Sequence, residues 1–390
     1  MPSVMIACGE PSGDLYAGAL AREIRRLSPG TQIVGLGGEH LRSAGAEMVG
    51  DYRGLSVTGL VEALRVLPRA WAMHRALVER ARRDRPDALV VIDFPDFNFR
   101  LAGSLHRLGI PVVYYVCPQV WAWRSGRLRV LKRLVDRALV IFPFEAAIYR
   151  EAGIPVEFVG HPLLDLTPAA AGRDACAAEW GLDGAAPIVA LLPGSRPNEL
   201  RATLPTLAAA VPRIAARVPG VQFVVARAPN LSDELFRPLL AVRGSRVAEV
   251  AGRTDDVLSA SDVVVTASGT ATVQTAIHER PMVIVYRLSP LTYRLGKRFV
   301  KVSTYGMANL VAGRRIVPEL IQDAFTPDAV AEETARYFED PDYAARTRAA
   351  LAEVRAKLGD GGASRRAAEQ VLAVCGAAAP AGFESASKQR

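Results

Sequence analysis

The sequence predicts an α/β protein with two Rossmann-like, doubly wound domains that face a cleft. Short β-branched runs alternate with amphipathic stretches along the chain, which is the pattern of parallel strands joined by crossover helices. The runs are apolar throughout, as expected of strands buried on both faces. A stretch rich in Pro, Gly, Ala and Asp at 160–186 separates two such series, and 390 residues suit two domains of about 150 residues with a remainder.

The first series predicts the N-terminal domain and the second the C-terminal domain. In the first series we expect strands at 4–7, 33–36, 88–93, 112–116 and 138–141, with helices at 15–27, 70–83, 99–108 and 145–152. In the second series we expect strands at 188–192, 222–225, 263–265 and 283–286. A last helical stretch at 342–374, broken at 359–362, follows another set of turns.

The charge and cysteine patterns limit the classes of partner. Lys and Arg outnumber Asp and Glu by 48 to 40, and acidic residues are absent from 97–135 and 280–318. Such cationic segments predict an anionic partner, either a nucleotide, a phospholipid or a nucleic acid. Without a zinc, helix-turn-helix or RNP signature, nucleic acid is the weakest of these. Scattered cysteines without CxxC spacing argue against structural zinc or a disulfide framework.

The sequence predicts contact with a membrane surface rather than a transmembrane helix. No apolar run reaches the roughly 20 residues that a bilayer requires, and the N-terminus lacks the charged region of a secretory signal, so we expect a cytoplasmic protein. The stretch at 60–71 mixes bulky apolar residues with arginines, which suits an interfacial element. A helix packed on the domain core is the alternative. The predicted membrane contacts are Leu60, Leu64, Val66, Leu67 and Trp71.

Polar residues follow two strands of the first domain. Glu10, Ser12 and Asp14 lie in a small-residue turn after the first strand, where Ser12 or Asp14 could instead cap the next helix. Asp93 ends a buried strand between apolar neighbours, an environment that favours general-base chemistry. Asp96 is more simply explained as the cap of the following helix.

The loop at 118–124 carries two tryptophans and an arginine after the next strand. Indole rings stack on sugar or acyl groups and Arg pairs with phosphate, so Trp121 and Arg124 are candidate substrate contacts. Packing between domains is the alternative interpretation.

Two glycine turns, each between a strand and a helix, mark the second domain. One is Gly194-Ser195-Arg196 and the other lies at 268–271. Each turn alone could be a plain connection, but two in one domain predict a site for a nucleotide diphosphate. The chain has no GxxxxGK[ST] motif, which argues against Walker-type phosphoryl transfer.

In these motifs and their order the chain resembles the lipid-A-disaccharide synthases, which are glycosyltransferases of the GT-B type. The matching segments are 9–14, 92–98, 118–124, 143–145, 160–162, 192–196, 267–272, 309–313 and 318–322. The resemblance implies that a UDP-linked 2,3-diacylglucosamine is joined to 2,3-diacylglucosamine 1-phosphate by a β(1→6) bond. UDP would leave in a single inverting displacement that needs no metal or other cofactor.

The resemblance also assigns roles to individual residues. Asp93 would be the general base, and Glu10 would be a second catalytic carboxylate. Gln274 stands where relatives usually have Glu, so a charge at the expected ribose contact is lost. Substrate contacts would come from Ser12, Asp14, Asp96, Asn98, Gln119, Trp121 and Arg124. UDP contacts would come from Gly194, Ser195, Arg196, Ser268, Gly269, Thr270, Ala271, Gln274 and Asn309.

We therefore expect an acceptor- and membrane-facing domain at 1–165 and a UDP-sugar domain at 166–341. A helical segment at 342–375 would pack back on the first domain, before a flexible tail at 376–390. The protein would associate with the cytoplasmic face of the inner membrane, and a homodimer is an open alternative. Rival hypotheses are another GT-B enzyme or epimerase acting on UDP-N-acetylglucosamine, and a non-catalytic UDP-sugar-binding protein at the membrane surface.

Overall fold

The structure is a computed structural model that describes residues 1–55, 60–119, 126–167, 171–229, 231–287, 304 and 306–376, without the side chains of 60–65. It divides into two compact units. The first unit comprises Met1–Leu166 together with the chain from Leu358, and the second comprises Thr167–Lys357. The segment expected at 342–375 is thus shared between the units.

Each unit contains one parallel sheet. The first sheet has the order β3-β2-β1-β4-β5-β6-β7 and the second the order β10-β9-β8-β11-β12-β13. The strands of the first sheet are β1 (Ser3–Cys8), β2 (Gln32–Gly37), β3 (Glu47–Asp51), β4 (Ala88–Ile92), β5 (Val112–Tyr115), β6 (Arg137–Val140) and β7 (Val156–Phe158). Those of the second are β8 (Ile188–Leu192), β9 (Gln222–Arg227), β10 (Val247–Ala251), β11 (Val263–Ala267), β12 (Met282–Tyr286) and β13 (Glu319–Ile321).

Helices connect the strands, as the crossover geometry of a parallel sheet requires. In the first half of the chain they are α1 (Pro11–Leu27), α2 (Glu39–Ser43), α3 (Leu60–Asp84), α4 (Pro95–His106), α5 (Arg127–Leu134), α6 (Pro143–Glu151), α7 (Leu163–Leu166) and α8 (Arg173–Glu179). In the second half they are α9 (Pro197–Arg217), α10 (Arg237–Leu240), α11 (Thr254–Ala260), α12 (Thr270–Ile277), α13 (Met307–Ala312), α14 (Pro327–Glu339), α15 (Pro341–Lys357) and α16 (Ala363–Val374).

The central strands set the positions of the turns that follow them. Residues 4–8 and 88–92 are fully buried, and Cys8 of β1 is in register with Ile92 of β4. In the second sheet Leu192 of β8 is in register with Thr266 of β11. The turns after β1 and β4 therefore begin side by side, and so do the turns after β8 and β11.

The last helix, α16, packs on α1 of the first unit. Leu358 accepts a hydrogen bond from the backbone N–H of His161 at 2.8 Å, and Arg366 Nε donates to the carbonyl of Val159 at 2.8 Å. The carboxylate of Asp165 accepts from the backbone N–H of Ser364 at 2.9 Å. These bonds hold the C-terminal helix against the loop that leaves β7.

The nine strands expected from the sequence are confirmed to within two residues at their ends, as is the helical break at 359–362. The sequence interpretation missed β3, β7, β10 and β13. All four are edge strands. Their residues are mostly half-buried, so they lack the continuous apolar run that identified the central strands.

Candidate active site

The turn after β4 holds Asp93 in an unusual backbone conformation. Asp93 and Phe94 have φ angles of 45° and 46°, in the left-handed region that costs a non-glycine residue roughly 1–3 kcal/mol. Two buried side chains, Asn98 and Tyr114, hold the turn by hydrogen bonds. Asn98 Nδ2 donates to the carbonyl of Asp93 at 2.7 Å, and the Tyr114 hydroxyl donates to the same carbonyl at 2.9 Å. The Asp93 side chain is half-buried at the carboxyl end of the strand.

The turn after β1 is shaped by its neighbour after β4. A Cβ atom on Gly9 would lie 2.1 Å from Cγ of Phe94, so only glycine leaves room for that ring. Glu10 occupies the N-cap of α1, which begins at Pro11 and has no side-chain cap hydrogen bond. The alternative that Ser12 or Asp14 caps α1 is therefore wrong, because both lie inside the first turn of the helix.

Asp14 binds the backbone of the neighbouring connection. Its buried carboxylate accepts hydrogen bonds from the N–H groups of Gly38 at 2.6 Å, His40 at 2.9 Å and Leu41 at 3.2 Å. A Cβ on Gly38 would lie 2.7 Å from Asp14 Oδ2, which explains the glycine there. In the described structure Asp14 thus positions the start of α2, and a substrate contact remains a prediction.

A buried aromatic cluster lies beside Asp93. The pKa of Tyr16 is raised by burial and by the charge of Asp93. Its ring contacts the His161 imidazole edge-on, with 6.2 Å between centroids. Burial lowers the pKa of His161 to about 3, and its Nδ1 accepts from the backbone N–H of Leu163 at 3.2 Å. His161 is therefore neutral near pH 7, with its proton assigned to Nε2.

Of the remaining predicted substrate contacts of the first unit, the structure describes Asp96 and Gln119, and both are exposed. The expectation that Asp96 caps α4 is wrong: Phe94 is the N-cap, and Asp96 forms an exposed ion pair with Arg127 of α5. Trp121 and Arg124 lie outside the described residues.

The turn after β8 places an arginine and a carboxylate together. Gly194 has a φ of 132°, and a Cβ there would lie 2.9 Å from Cβ of Glu199. The Glu199 carboxylate accepts from the Ser195 N–H at 3.1 Å and from Arg196 Nη1 at 3.0 Å. Sequence reasoning missed Glu199, although its position three residues after Arg196 at a helix start was a usable signal. The donors expected to bind a diphosphate thus hold an internal carboxylate.

The turn after β11 begins beside the turn after β8. Gly269 has a φ of 146° and precedes Thr270, where α12 begins. The hydroxyl of Thr272 donates to the Gly269 carbonyl at 2.8 Å, which fixes the turn. Ser268 lies in the same connection, and Ala271 lies in the first turn of α12. Gln274 follows on α12 and is half-buried.

Asn309 has a scaffolding role in the described structure. It is buried, and its Nδ2 donates to the Val317 carbonyl at 3.0 Å and to Glu319 Oε1 at 2.7 Å. Its Oδ1 accepts from the backbone N–H groups of Ile316 at 2.8 Å and Val317 at 3.1 Å. These bonds fix the approach to β13, and contact between Asn309 and a nucleotide remains a prediction.

Helix α3 exposes apolar side chains near its middle. Leu67 is 47% exposed and Trp71 is 66% exposed, whereas Leu77 further along is fully buried in the core. Val66 is half-buried, and the side chains of Leu60 and Leu64 lie outside the described residues. A groove of about 430 Å³ between α3 and α4 begins at Trp71 and is lined by Trp71, His74, Arg75, Val78, Glu79, Arg82, Ser104, Arg107 and Leu108.

The described residues contain neither a membrane-spanning helix nor a cluster of metal ligands. No described helix is both long and apolar enough to cross a bilayer. Within the same ranges, no three His, Cys, Asp or Glu side chains are grouped so as to hold a metal ion.

Comparison with known proteins gives one consistent family. Residues 4–374 match the family model described as lipid-A-disaccharide synthetase. The lipid-A-disaccharide synthase of Geobacter sulfurreducens is 45% identical over 376 residues, covering 96% of this chain and 97% of the relative. That of Myxococcus xanthus is 43% identical over 371 residues, covering 95% and 97%.

Solved structures share the fold at low sequence identity. The UDP-GlcNAc 2-epimerase from Neisseria meningitidis bound to UDP-GlcNAc has a TM-score of 0.67 at 13% identity, covering 96% of this chain and 100% of its own. The glycosyltransferase of kitacinnamycin has a TM-score of 0.64 at 19% identity, with the same coverage. The architecture is therefore that of GT-B glycosyltransferases and epimerases, which confirms the predicted fold class.

Proposed function

Because the chain belongs to the lipid-A-disaccharide synthase family and is a glycosyltransferase of lipid A disaccharide synthesis, we propose that it joins UDP-2,3-diacylglucosamine to 2,3-diacylglucosamine 1-phosphate. The new bond is β(1→6), and UDP is released. The observation that carries the mechanism is the Asp93 turn at the carboxyl end of β4, whose left-handed backbone is held by hydrogen bonds from the buried side chains of Asn98 and Tyr114.

Asp93 is the general base of this proposal. Its carboxylate takes the proton of the acceptor 6-hydroxyl as that oxygen bonds to the anomeric carbon of the donor sugar. The bond from the anomeric carbon to the UDP oxygen breaks at the same time, and its electron pair leaves with UDP. One displacement inverts the anomeric carbon, so no covalent enzyme intermediate is required. Glu10, on the neighbouring turn, contacts the sugars.

The turns after β8 and β11 bind the diphosphate. Ser195 N–H, Arg196 and the N-terminus of the 21-residue helix α9 supply donors and positive potential. The Glu199 carboxylate marks where an anion is accepted, and the incoming diphosphate replaces it there. As charge develops on the leaving UDP, the same donors stabilise it. This role requires no metal.

The exposed face of α3 contacts the membrane in this proposal, which brings both acylated substrates to the protein. Leu67 and Trp71 enter the acyl region, and the arginines that line the adjoining groove face acidic head groups. Arg75 is paired with Glu79 at 3.0 Å, whereas Arg82 and Arg107 form no ion pair with the described residues. The groove therefore carries net positive charge toward lipid.

Vesicle sedimentation tests the membrane contact. Replacing Leu67 and Trp71 with Ser should at least halve the fraction bound to phosphatidylglycerol vesicles without lowering the melting temperature. Leu240→Ser is the matched control, because Leu240 is 38% exposed in the second unit. Unchanged vesicle binding in the double variant would place the contact on another surface.

Acceptor-dependent UDP release tests the reaction. The purified protein in mild detergent receives UDP-2,3-diacylglucosamine with or without diacylglucosamine 1-phosphate. We expect UDP release only with acceptor, in step with a disaccharide phosphate. A folded protein that binds UDP but releases none would argue for a different acceptor or a binding role.

A further inference from the structure

The Gln274 side chain is held by a carboxylate from the neighbouring helix. Gln274 on α12 donates from Nε2 to Oδ1 of Asp255 on α11 at 2.8 Å. The same oxygen lies 2.8 Å from Nε2 of His278, and Nδ1 of His278 lies 3.1 Å from the Ser259 hydroxyl. The side chains of Asp255 and His278 are 19% and 10% exposed. These four residues form one hydrogen-bonded network.

The carboxylate decides how the Gln274 amide is oriented. A carboxylate oxygen only accepts hydrogen bonds, so the NH₂ end of the amide must face Asp255. The carbonyl oxygen Oε1 then points the other way, and it accepts no hydrogen bond from any residue in the described ranges. The Nε2 of His278 also faces this carboxylate oxygen, which can only accept, so Nε2 is assigned as a donor to Asp255 from the network.

The charge of Asp255 also explains why position 274 carries an amide. A glutamate at 274 in the same rotamer would set a second carboxylate oxygen about 3 Å from Asp255 Oδ1, where like charges repel strongly. Asp255 therefore supplies the negative charge of this pair, and Gln274 presents a neutral acceptor.

We propose that Asp255 is a positioning residue that aims Gln274 Oε1 at a ribose hydroxyl of the UDP donor. Gln274 lies four residues after Thr270, about 6 Å along α12 from the diphosphate turn. That distance suits the sugar attached to the diphosphate. A ribose hydroxyl donates to Oε1, while Asp255 and His278 keep the amide from rotating. The inference rests on the proposed UDP site in the second unit.

Calorimetric binding of UDP, 2′-deoxy-UDP and 3′-deoxy-UDP tests this role. The wild-type protein should bind one deoxy analogue about 3- to 10-fold more weakly than UDP, as expected for one hydrogen bond. In Asp255→Ala this ratio should fall towards one, because the amide is free to rotate. Asp255→Asn should retain most of the discrimination between UDP and the deoxy analogue, since Oδ1 still accepts from Gln274 Nε2.

A charge exchange gives the second measurement. Gln274→Glu should weaken UDP binding about 10-fold or more by repulsion from Asp255, and Asp255→Asn combined with Gln274→Glu should restore it through an amide donor at 255. A merely structural role would lower the melting temperature of Asp255→Ala and leave the ratio between UDP and its analogue unchanged.

The outcomes separate the two proposals. No UDP binding by the wild-type protein would overturn the proposed function. UDP binding without discrimination between the three nucleotides would overturn the inference alone. So would discrimination that survives in Asp255→Ala, or a Gln274→Glu variant that binds UDP as well as wild type.

Discussion

The turns that carry Asp93 and Arg196 follow central strands of two similar sheets, yet they are fixed in different ways. The Asp93 turn consists of two non-glycine residues in left-handed conformation, with hydrogen bonds from Asn98 and Tyr114 beneath them. The Arg196 turn uses Gly194 for its conformation, and the carboxylate of Glu199 occupies its donors.

This difference separates two kinds of preorganisation. In the first turn, the buried side chains of Asn98 and Tyr114 hold the backbone carbonyl of Asp93, so this turn should depend on the core around it. The second turn holds the Glu199 carboxylate by charge, and the proposed anion site there should depend on its neighbouring charges and on salt. Substitutions in the first turn should thus act on turnover and stability, and those in the second on nucleotide affinity.

The largest effect should come from Asp93→Asn. Removing the base should lower kcat about 10²- to 10⁴-fold, because proton transfer from the acceptor hydroxyl loses its partner. The dissociation constant for UDP should change by less than about twofold, since the proposed diphosphate site belongs to the second unit. Initial rates and calorimetry measure the two quantities.

Asp87→Asn is the matched control for that prediction. Asp87 precedes the same strand at its opposite end and accepts from the Ser3 N–H at 2.8 Å. It should leave kcat within about twofold of wild type. Near-normal turnover in Asp93→Asn would remove Asp93 as the base and leave the first turn without its proposed purpose.

Arg196→Ala should act mainly on UDP affinity, whereas Asp93→Asn acts mainly on kcat. Loss of the guanidinium should weaken UDP binding by about 2 kcal/mol, or roughly 30-fold, at the lower end for charge pairs because the side chain is 32% exposed. Arg201→Ala serves as control, since this exposed arginine of the same helix bonds only Asn198 among the described residues. Equal UDP affinities for the two variants would move the diphosphate elsewhere.

The first unit should also lose stability in acid through His161. Its pKa is about 3 in the folded protein against 6.5 for an ordinary histidine, so the unfolded chain binds the extra proton. Stability is therefore complete above pH 6.5 and falls as the pH is lowered, by roughly 2 kcal/mol at pH 5. His161→Gln should flatten this dependence in urea unfolding, whereas the exposed His106→Gln should not. If the free energy of unfolding has the same pH dependence in His161→Gln and wild type, His161 is not the source of the acid sensitivity.

The sequence predicts the central architecture and most strand-end motifs because these depend on local pattern. Buried apolar runs identify the nine inner strands, and the glycine turns after β8 and β11 lie between a strand and a helix as predicted. What it does not predict depends on contacts between distant segments. The three backbone donors to Asp14 and the bond between Asp255 and Gln274 join residues 19 to 27 positions apart.

For Glu199, the local sequence pattern was visible but did not reveal which groups its carboxylate binds. The sequence shows a glutamate in the first turn of α9, where it is favoured by the helix dipole in any protein. Only the structure reveals that its carboxylate occupies both the Ser195 N–H and the Arg196 guanidinium. This occupancy makes Glu199 a competitor for the proposed anion site.

The smallest effect should come from Glu199→Gln, and it tests the comparison most directly. If the carboxylate competes with the diphosphate, its neutralisation should tighten UDP binding by about 1 kcal/mol, or roughly fivefold, since the pair is partly exposed. The gain should shrink at high salt, where charges are screened. Calorimetry at two salt concentrations measures both, with Glu234→Gln as a control of equal net charge.

A decrease in UDP affinity, instead of the expected increase, would change the interpretation of the Arg196 turn. Weaker UDP binding in Glu199→Gln would mean that the carboxylate is needed to hold Arg196 in place rather than to be displaced. The Arg196 turn would then depend on a fixed neighbour just as the Asp93 turn depends on Asn98 and Tyr114. Tighter, salt-sensitive binding would instead keep the two turns distinct, one fixed by hydrogen bonds from buried side chains and the other by a charge that the substrate replaces.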